Sequence, residues 1–325
     1  MVATAPGALR ATGYDARAMN PVKGMLLWAS QNSSLREQLP RMRFVKSSVA
    51  RFMPGETAED AIEAAQRMAR DVGIPATFTR LGENTTDLSQ AAEASGDYLR
   101  LLDQIEELGL DAEISIKLSQ LGIDQDPAVT ATHVERLVDR SAELGRTCWI
   151  DMEASAYVDR TLDLYEAELR RSPNVGICLQ AYLRRTYDDI RRLLPSAPTV
   201  RLVKGAYREP RALVFTSRAA IDESFVRLAE HLVQGGARRV ALGSHDTDLI
   251  ARVTSELGGH DRFEVAMLYG IRSDDQRRLA REGYRVRTLI SYGPSWYPWF
   301  MRRLAEKPVE NTLLALRNLF TAGPR

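Results

Sequence analysis

The residues best suited to chemistry are charged groups placed where apolar runs end. Arg201-Leu202-Val203-Lys204-Gly205-Ala206-Tyr207-Arg208-Glu209-Pro210 mixes charged and apolar positions and then breaks at Gly205. The pattern predicts a short strand emptying into a polar loop, with Gly205 where a ligand can approach the backbone closely. Arg201 and Lys204 lie at opposite parities, so a regular strand puts them on different faces. A cation at the mouth of a buried strand needs an anionic partner, because an unpaired buried charge is costly. That partner is a carboxylate on a neighbouring strand or a ligand, and the stretch alone weighs the two equally.

Other apolar runs end the same way. Their exits carry Leu81-Gly82-Glu83-Asn84, Lys117, Asp151-Met152-Glu153 and Gln180-Ala181-Tyr182. Further on come Ser244-His245-Asp246, Leu268-Tyr269-Gly270 and Ser291-Tyr292. Near the end, Arg302 and Arg303 follow the aromatic-rich stretch Trp296-Tyr297-Pro298-Trp299-Phe300. Neighbouring helical residues point about 100° apart, so two guanidiniums there can grip one carboxylate from two sides. Pairing with Glu306 in solvent is the simpler reading of that segment by itself.

The elements that position these residues follow from the runs themselves. Eight strand-like runs lie at 75–80, 113–117, 147–151, 175–180, 199–204, 239–243, 263–267 and 284–290. Between them fall amphipathic stretches of helical length, such as 87–109, 131–145, 157–171, 217–235, 247–257 and 273–282. Strands alternating with helices imply a parallel sheet, and eight of them close a (β/α)8 barrel of about 250 residues. The fold class is therefore α/β, a TIM-type barrel. In it, every polar exit surrounds one rim, the face where barrel enzymes do their chemistry. An open doubly wound sheet competes, but no GxGxxG follows the first strand. Ahead of the barrel, Thr57 with Asp60 three residues on marks the start of a helix running to about Arg70. Residues 22–50 read as short helices and 1–20 as a frayed start, which gives an arm over 1–55 and a catalytic barrel over 56–325.

Composition narrows the class. Lys plus Arg (44) and Asp plus Glu (43) nearly cancel in 325 residues, and no basic tract is interleaved with aromatics, so nucleic acid is not an expected partner. Cys148 and Cys178 sit in apolar runs, and the four histidines are scattered without ligand spacing. A metal site is not expected, and a reducing compartment is. No apolar stretch is long enough to span a bilayer and no secretion signal opens the chain, so the expected location is cytoplasmic.

Seven motifs, in order, resemble the proline dehydrogenases. They are Lys117-Leu-Ser-Gln-Leu-Gly, Ile150-Asp151-Met152-Glu153, Leu179-Gln180-Ala181-Tyr182, Arg201-Leu-Val-Lys-Gly-Ala-Tyr207, Gly243-Ser244-His245-Asp246, Met267-Leu268-Tyr269-Gly270 and Trp296-Tyr-Pro-Trp-Phe-Met-Arg302-Arg303. The resemblance runs from about residue 52 to about 320 and is closest in extent to the monofunctional bacterial enzymes. It implies an FAD-binding barrel, with a helix over the rim at the C-terminal end. Such a barrel would oxidise L-proline to Δ1-pyrroline-5-carboxylate by hydride transfer to flavin N5 and pass the electrons to a quinone, with peripheral membrane contact. Lys117, Arg302 and Arg303 would hold the substrate carboxylate, with Asp151 beside Lys117 and Arg201 near N5. Met152, Gln180, Arg201, Lys204, Gly205, Ala206, Arg208, Ser244 and His245 match cofactor-contacting positions, Lys204 suiting a pyrophosphate. The apolar face over 309–320 reads as packing on the barrel itself rather than on lipid.

Two departures touch the pocket. Leu289 stands where the family usually has a tyrosine against the substrate ring, and Trp299 replaces a second tyrosine. They motivate the expectation of altered selectivity, admitting a substituted proline or another cyclic amino acid. Three alternatives remain at this stage: a flavoenzyme of this fold acting on another cyclic amino acid, a Schiff-base lyase using Lys117 or Lys204, and a non-catalytic barrel. The sequence leaves the oligomeric state open.

Overall fold

The computed structural model describes Val49 and residues 52–297. Apart from Val49, the short helices expected over 22–50 lie outside the described residues. So do Trp299, Arg302, Arg303, the expected helix over the rim and the apolar face over 309–320.

The chain enters through α1 (Ala58–Val72), and the expected cap is present. Thr57 Oγ1 accepts the Asp60 amide at 3.1 Å while the Asp60 carboxylate accepts the Thr57 amide at 3.1 Å. This reciprocal box satisfies two amides that the helix itself cannot. Eight strands follow: β1 (Ala76–Arg80), β2 (Ala112–Ile116), β3 (Cys148–Ile150), β4 (Val175–Gln180), β5 (Thr199–Val203), β6 (Arg239–Gly243), β7 (Glu264–Leu268) and β8 (Arg285–Tyr292). Their bounds agree with the eight apolar runs to within two residues. Between them lie α2 (Leu88–Glu107), α3 (Pro127–Glu143), α4 (Val158–Arg171), α5 (Thr186–Leu193), α6 (Arg218–Gln234), α7 (Thr247–Leu257) and α8 (Ser273–Arg281). The sequence reading did not single out α5, which has only 8 residues and no side-chain cap at Arg185.

Each strand pairs in parallel with the next, and β8 pairs with β1, so the barrel closes in sequence order. The position beside β8 on the outer wall is taken by α1, which packs against that strand. The segment from Val49 to Trp296 is one compact unit.

Alternate residues face opposite sides of a strand, and the register sorts them into two sets. Ile114, Ile116, Ile177, Val200, Leu202, Leu242 and Val265 are fully buried and belong to the main apolar cluster between barrel and helices. The other parity lines the lumen: Glu113, Ser115, Trp149, Gly176, Cys178, Arg201, Ala241, Glu264, Arg287 and Leu289 fall in register with one another. Barrel interiors are ordinarily filled by branched aliphatics. Here the lumen holds several charges and one indole among small residues and Leu289, and the charged groups must satisfy each other.

Candidate active site

At the carboxyl end of the lumen one carboxylate collects two cations. The Asp151 amide donates to Ile116 O at 2.8 Å, so the residue extends the ladder beyond β3 and its side chain keeps the inward parity. Lys117, the first residue after β2, places Nζ 3.2 Å from Asp151 Oδ2 and 3.4 Å from Thr79 Oγ1. Arg201 on β5 places Nη2 2.6 Å from Asp151 Oδ1. It also donates to Ser115 Oγ, and that hydroxyl in turn donates to Asp151 Oδ1 at 2.8 Å.

Burial alone would push the Asp151 carboxyl up, but Lys117 and Arg201 outweigh it and hold the group below its ordinary value. Burial likewise works against the Lys117 ammonium and the Arg201 guanidinium, and Asp151 reverses the balance in both. All three groups therefore carry charge at neutral pH.

Beneath this triad Trp149 is in contact with two arginines. The Arg201 guanidinium carbon is 5.0 Å from the ring centroid and that of Arg239 is 5.3 Å away. Trp149 Nε1 donates to Glu113 Oε2 at 2.8 Å. Glu113 and Glu264 with Arg239 and Arg287 then form an ionic floor, in which Arg239 reaches Glu264 at 2.9 Å and Arg287 reaches it at 3.3 Å.

The rim residues are tied differently from what their types imply. Lys204 is not an open cation, since its ammonium pairs with Asp222 of α6 and with Asp246 at 3.0 Å. At Gly205 a Cβ would fall 2.2 Å from the Tyr182 ring, and the backbone sits at φ +115°. Tyr182 and the backbone conformation both require a glycine there, apart from any ligand. Arg208 and Ala206 are exposed on the same loop. That loop is held by Tyr182 Oη donating to Tyr207 O at 3.2 Å and by Glu209, which accepts the Ser155 amide at 2.7 Å. Tyr207 Oη reaches Glu83 at 3.5 Å, so the β5 and β1 exit loops meet over the mouth.

Gln180 is anchored through Nε2 to Glu153 O at 2.8 Å, and Met152 is buried in the apolar cluster. Ser244 Oγ accepts the Asp246 amide at 3.1 Å. His245 Nε2 accepts the Leu268 amide at 3.2 Å, tying the β6 exit to β7. Leu289 faces the lumen in register with Thr77 and Leu268 and is partly exposed.

The structure thus brings Lys117, Asp151 and Arg201 into direct contact and places Gln180, Lys204, Arg208, Ser244 and His245 around the β4 to β6 sector of the rim. This sector offers guanidinium, ammonium, amide and hydroxyl donors, a set whose chemistry could hold an anionic dinucleotide. Ser115, Thr79, Trp149, Glu113 and Asp222 were not picked out from sequence. The signal for two of them was parity, since Ser115 and Trp149 each stand two residues before a chosen residue just past the end of their strand.

The family model described as proline dehydrogenase matches residues 61–312. Proline dehydrogenase 1 of Bacillus subtilis (strain 168) is 32% identical over 302 residues, covering 92% of this chain and 99% of that protein. The proline dehydrogenase of Deinococcus radiodurans is 36% identical over 282 residues, covering 84% and 90%. The crystal structure of proline utilization A from Bdellovibrio bacteriovorus, inactivated by N-propargylglycine, superposes with a TM-score of 0.74 at 22% identity. The match covers 87% of this chain and 38% of that longer one, and it is a likeness of fold.

Proposed function

The chain belongs to the proline dehydrogenase family and oxidises L-proline in proline catabolism; we propose that it does so with FAD, yielding Δ1-pyrroline-5-carboxylate and passing the electrons to a quinone. The observation that carries the reading is the Lys117–Asp151–Arg201 triad at the carboxyl end of the barrel. A flavin bound at the β4 to β6 rim would supply the acceptor for the hydride that leaves the ring carbon beside the proline nitrogen.

The chain's own residues have separable parts in this. An ammonium has three donors, and Lys117 gives two of them to Asp151 and Thr79, which leaves one for the substrate carboxylate. By the family resemblance Arg302 and Arg303 are the further candidates for holding that carboxylate, for which permanently charged planar forks are suited. Arg201 brings a permanent positive charge to the floor of the site, where it favours negative charge developing above it. Asp151, held ionised, is a poor proton acceptor. It keeps two cations together that would otherwise repel, so its part is to assemble the site. Leu289 gives the pocket an aliphatic wall that relaxes selectivity toward substituted prolines. Gln180, Met152, Ser244, His245, Arg208 and the 204–206 backbone are the cofactor contacts in this reading.

Among the described residues no helix is long and apolar enough to cross a membrane. In this reading the electrons reach the quinone by peripheral contact with the bilayer surface. The test is anaerobic addition of L-proline to the purified protein. Flavin absorbance that bleaches on addition supports the proposal. A protein that takes up no flavin after incubation with FAD, or whose flavin stays oxidised in excess proline, sinks it.

A further inference from the structure

We infer that Trp149 is a positioning residue for Arg201, holding its guanidinium over the indole ring so that its charge stays fixed beneath the redox site; the inference rests on the function proposed above. Arg201 donates to both Asp151 and Ser115 from one nitrogen, Nη2, and the Cys178 thiol lies against it. Bonds from one nitrogen leave a planar group free to tilt, and the Trp149 ring at 5.0 Å limits that freedom. Stacking on an aromatic face is one of the interactions guanidinium has and ammonium lacks.

The indole is itself fixed from below. Its Nε1 donates to Glu113, a buried carboxylate that burial pushes up and that Arg287 and Arg239 pull below its ordinary value. Arg239 also lies over the ring, at 5.3 Å from its centroid. Space for the ring is reserved by the neighbouring strand: Trp149 pairs in register with Gly176, where a Cβ would fall 2.5 Å from the ring. A residue whose only task was filling the lumen would not need this set of anchors. The ionic floor thus reaches Arg201 through one rigid aromatic plate.

The test uses the flavin-loaded protein and three variants. Trp149→Leu keeps an apolar filler without a π face, Trp149→Phe keeps a face without the N–H, and Gly176→Ala displaces the ring while leaving it in place chemically. Trp149→Leu and Gly176→Ala should lower kcat about tenfold, the size of one desolvated stack, with KM changed less than about twofold. The flavin reduction potential should fall in parallel, by about 30 mV for the same tenfold in a two-electron couple. Trp149→Phe should recover most of both. Variants that lose thermal stability while keeping wild-type potential and kcat would overturn the inference, and so would a Trp149→Phe as impaired as Trp149→Leu. The stack is also readable without flavin. Arg201→Gln should change the indole emission of flavin-free protein in the Trp149 background and not in the Trp149→Phe background, and an unchanged difference spectrum overturns it. A wild-type protein that proline does not bleach would instead count against the proposed function, leaving this emission test decisive for the stack.

Discussion

Lys117 and Arg201, from strands on different sides of the lumen, hold opposite oxygens of the same carboxylate, at 3.2 Å on Oδ2 and 2.6 Å on Oδ1 of Asp151. Two buried cations are therefore stable only as long as that anion lies between them. Removing one member of a buried ionic set costs about 3–5 kcal/mol, chiefly for the charges left behind. Asp151→Asn should thus lose about 3 kcal/mol in urea unfolding at pH 7 and at least about a hundredfold in kcat/KM. Stability within 1 kcal/mol of wild type, on the same scale of about 3 kcal/mol, would show that the triad is not held by charge.

The pH dependence of stability separates two carboxylates of one loop. Asp151 has a depressed pKa when folded, so its contribution is complete above the unfolded value of about 3.9 and is lost as pH falls through the folded one. The deficit of Asp151→Asn should therefore be full at neutral pH and narrow below about pH 4. Glu153 goes the other way: burial pushes its carboxyl up against two hydrogen bonds from Ser119. Its ionisation costs stability as pH rises above the unfolded value of about 4.3. Glu153→Gln should gain on wild type in thermal midpoint as pH rises above about 4.

Leu289 sets the third expectation. It faces the lumen beside Thr77 and Leu268 and is partly open to the mouth. Leu289→Tyr should raise the ratio of kcat/KM for L-proline over 4-hydroxyproline by about tenfold, the range one pocket contact can supply. An unchanged ratio would remove Leu289 from the selectivity account.

A surface control tests the fold without the site. Thr57→Ala breaks the capping box of α1 and should cost about 1 kcal/mol with kcat unchanged, read by urea titration and steady-state rates.

Much of this architecture was legible from parity and run length. The run Glu113-Ile114-Ser115-Ile116-Lys117 alternates cleanly, and three of its residues do face the lumen. Period-2 alternation gives a face but no partner. That Arg201 meets Ser115 across the lumen, 86 residues away in sequence, depends on barrel closure and register. Lys204 is the clearest example. Its type and place at a strand exit suit a phosphate, yet the carboxylates that engage it stand 18 and 42 residues on. Gly205 marks a close approach to the backbone, and the neighbouring strand's Tyr182 makes one, apart from any ligand. In each case a local signal identified a special position, and the side chain that meets it comes from a distant part of the chain.

The helix that covers β8 is the first one described, α1, and Trp296 just past β8 donates to Glu56 just before α1 at 2.9 Å. During synthesis, α1 leaves the ribosome more than two hundred residues before the strand it covers. Its apolar side, with Ala61, Ile62, Ala64 and Ala65, must wait for that long-range closure. Nascent chains stalled before β8 should therefore be protease-sensitive along their whole length and prone to chaperone capture. Release of the final strand should bring protection in one cooperative step.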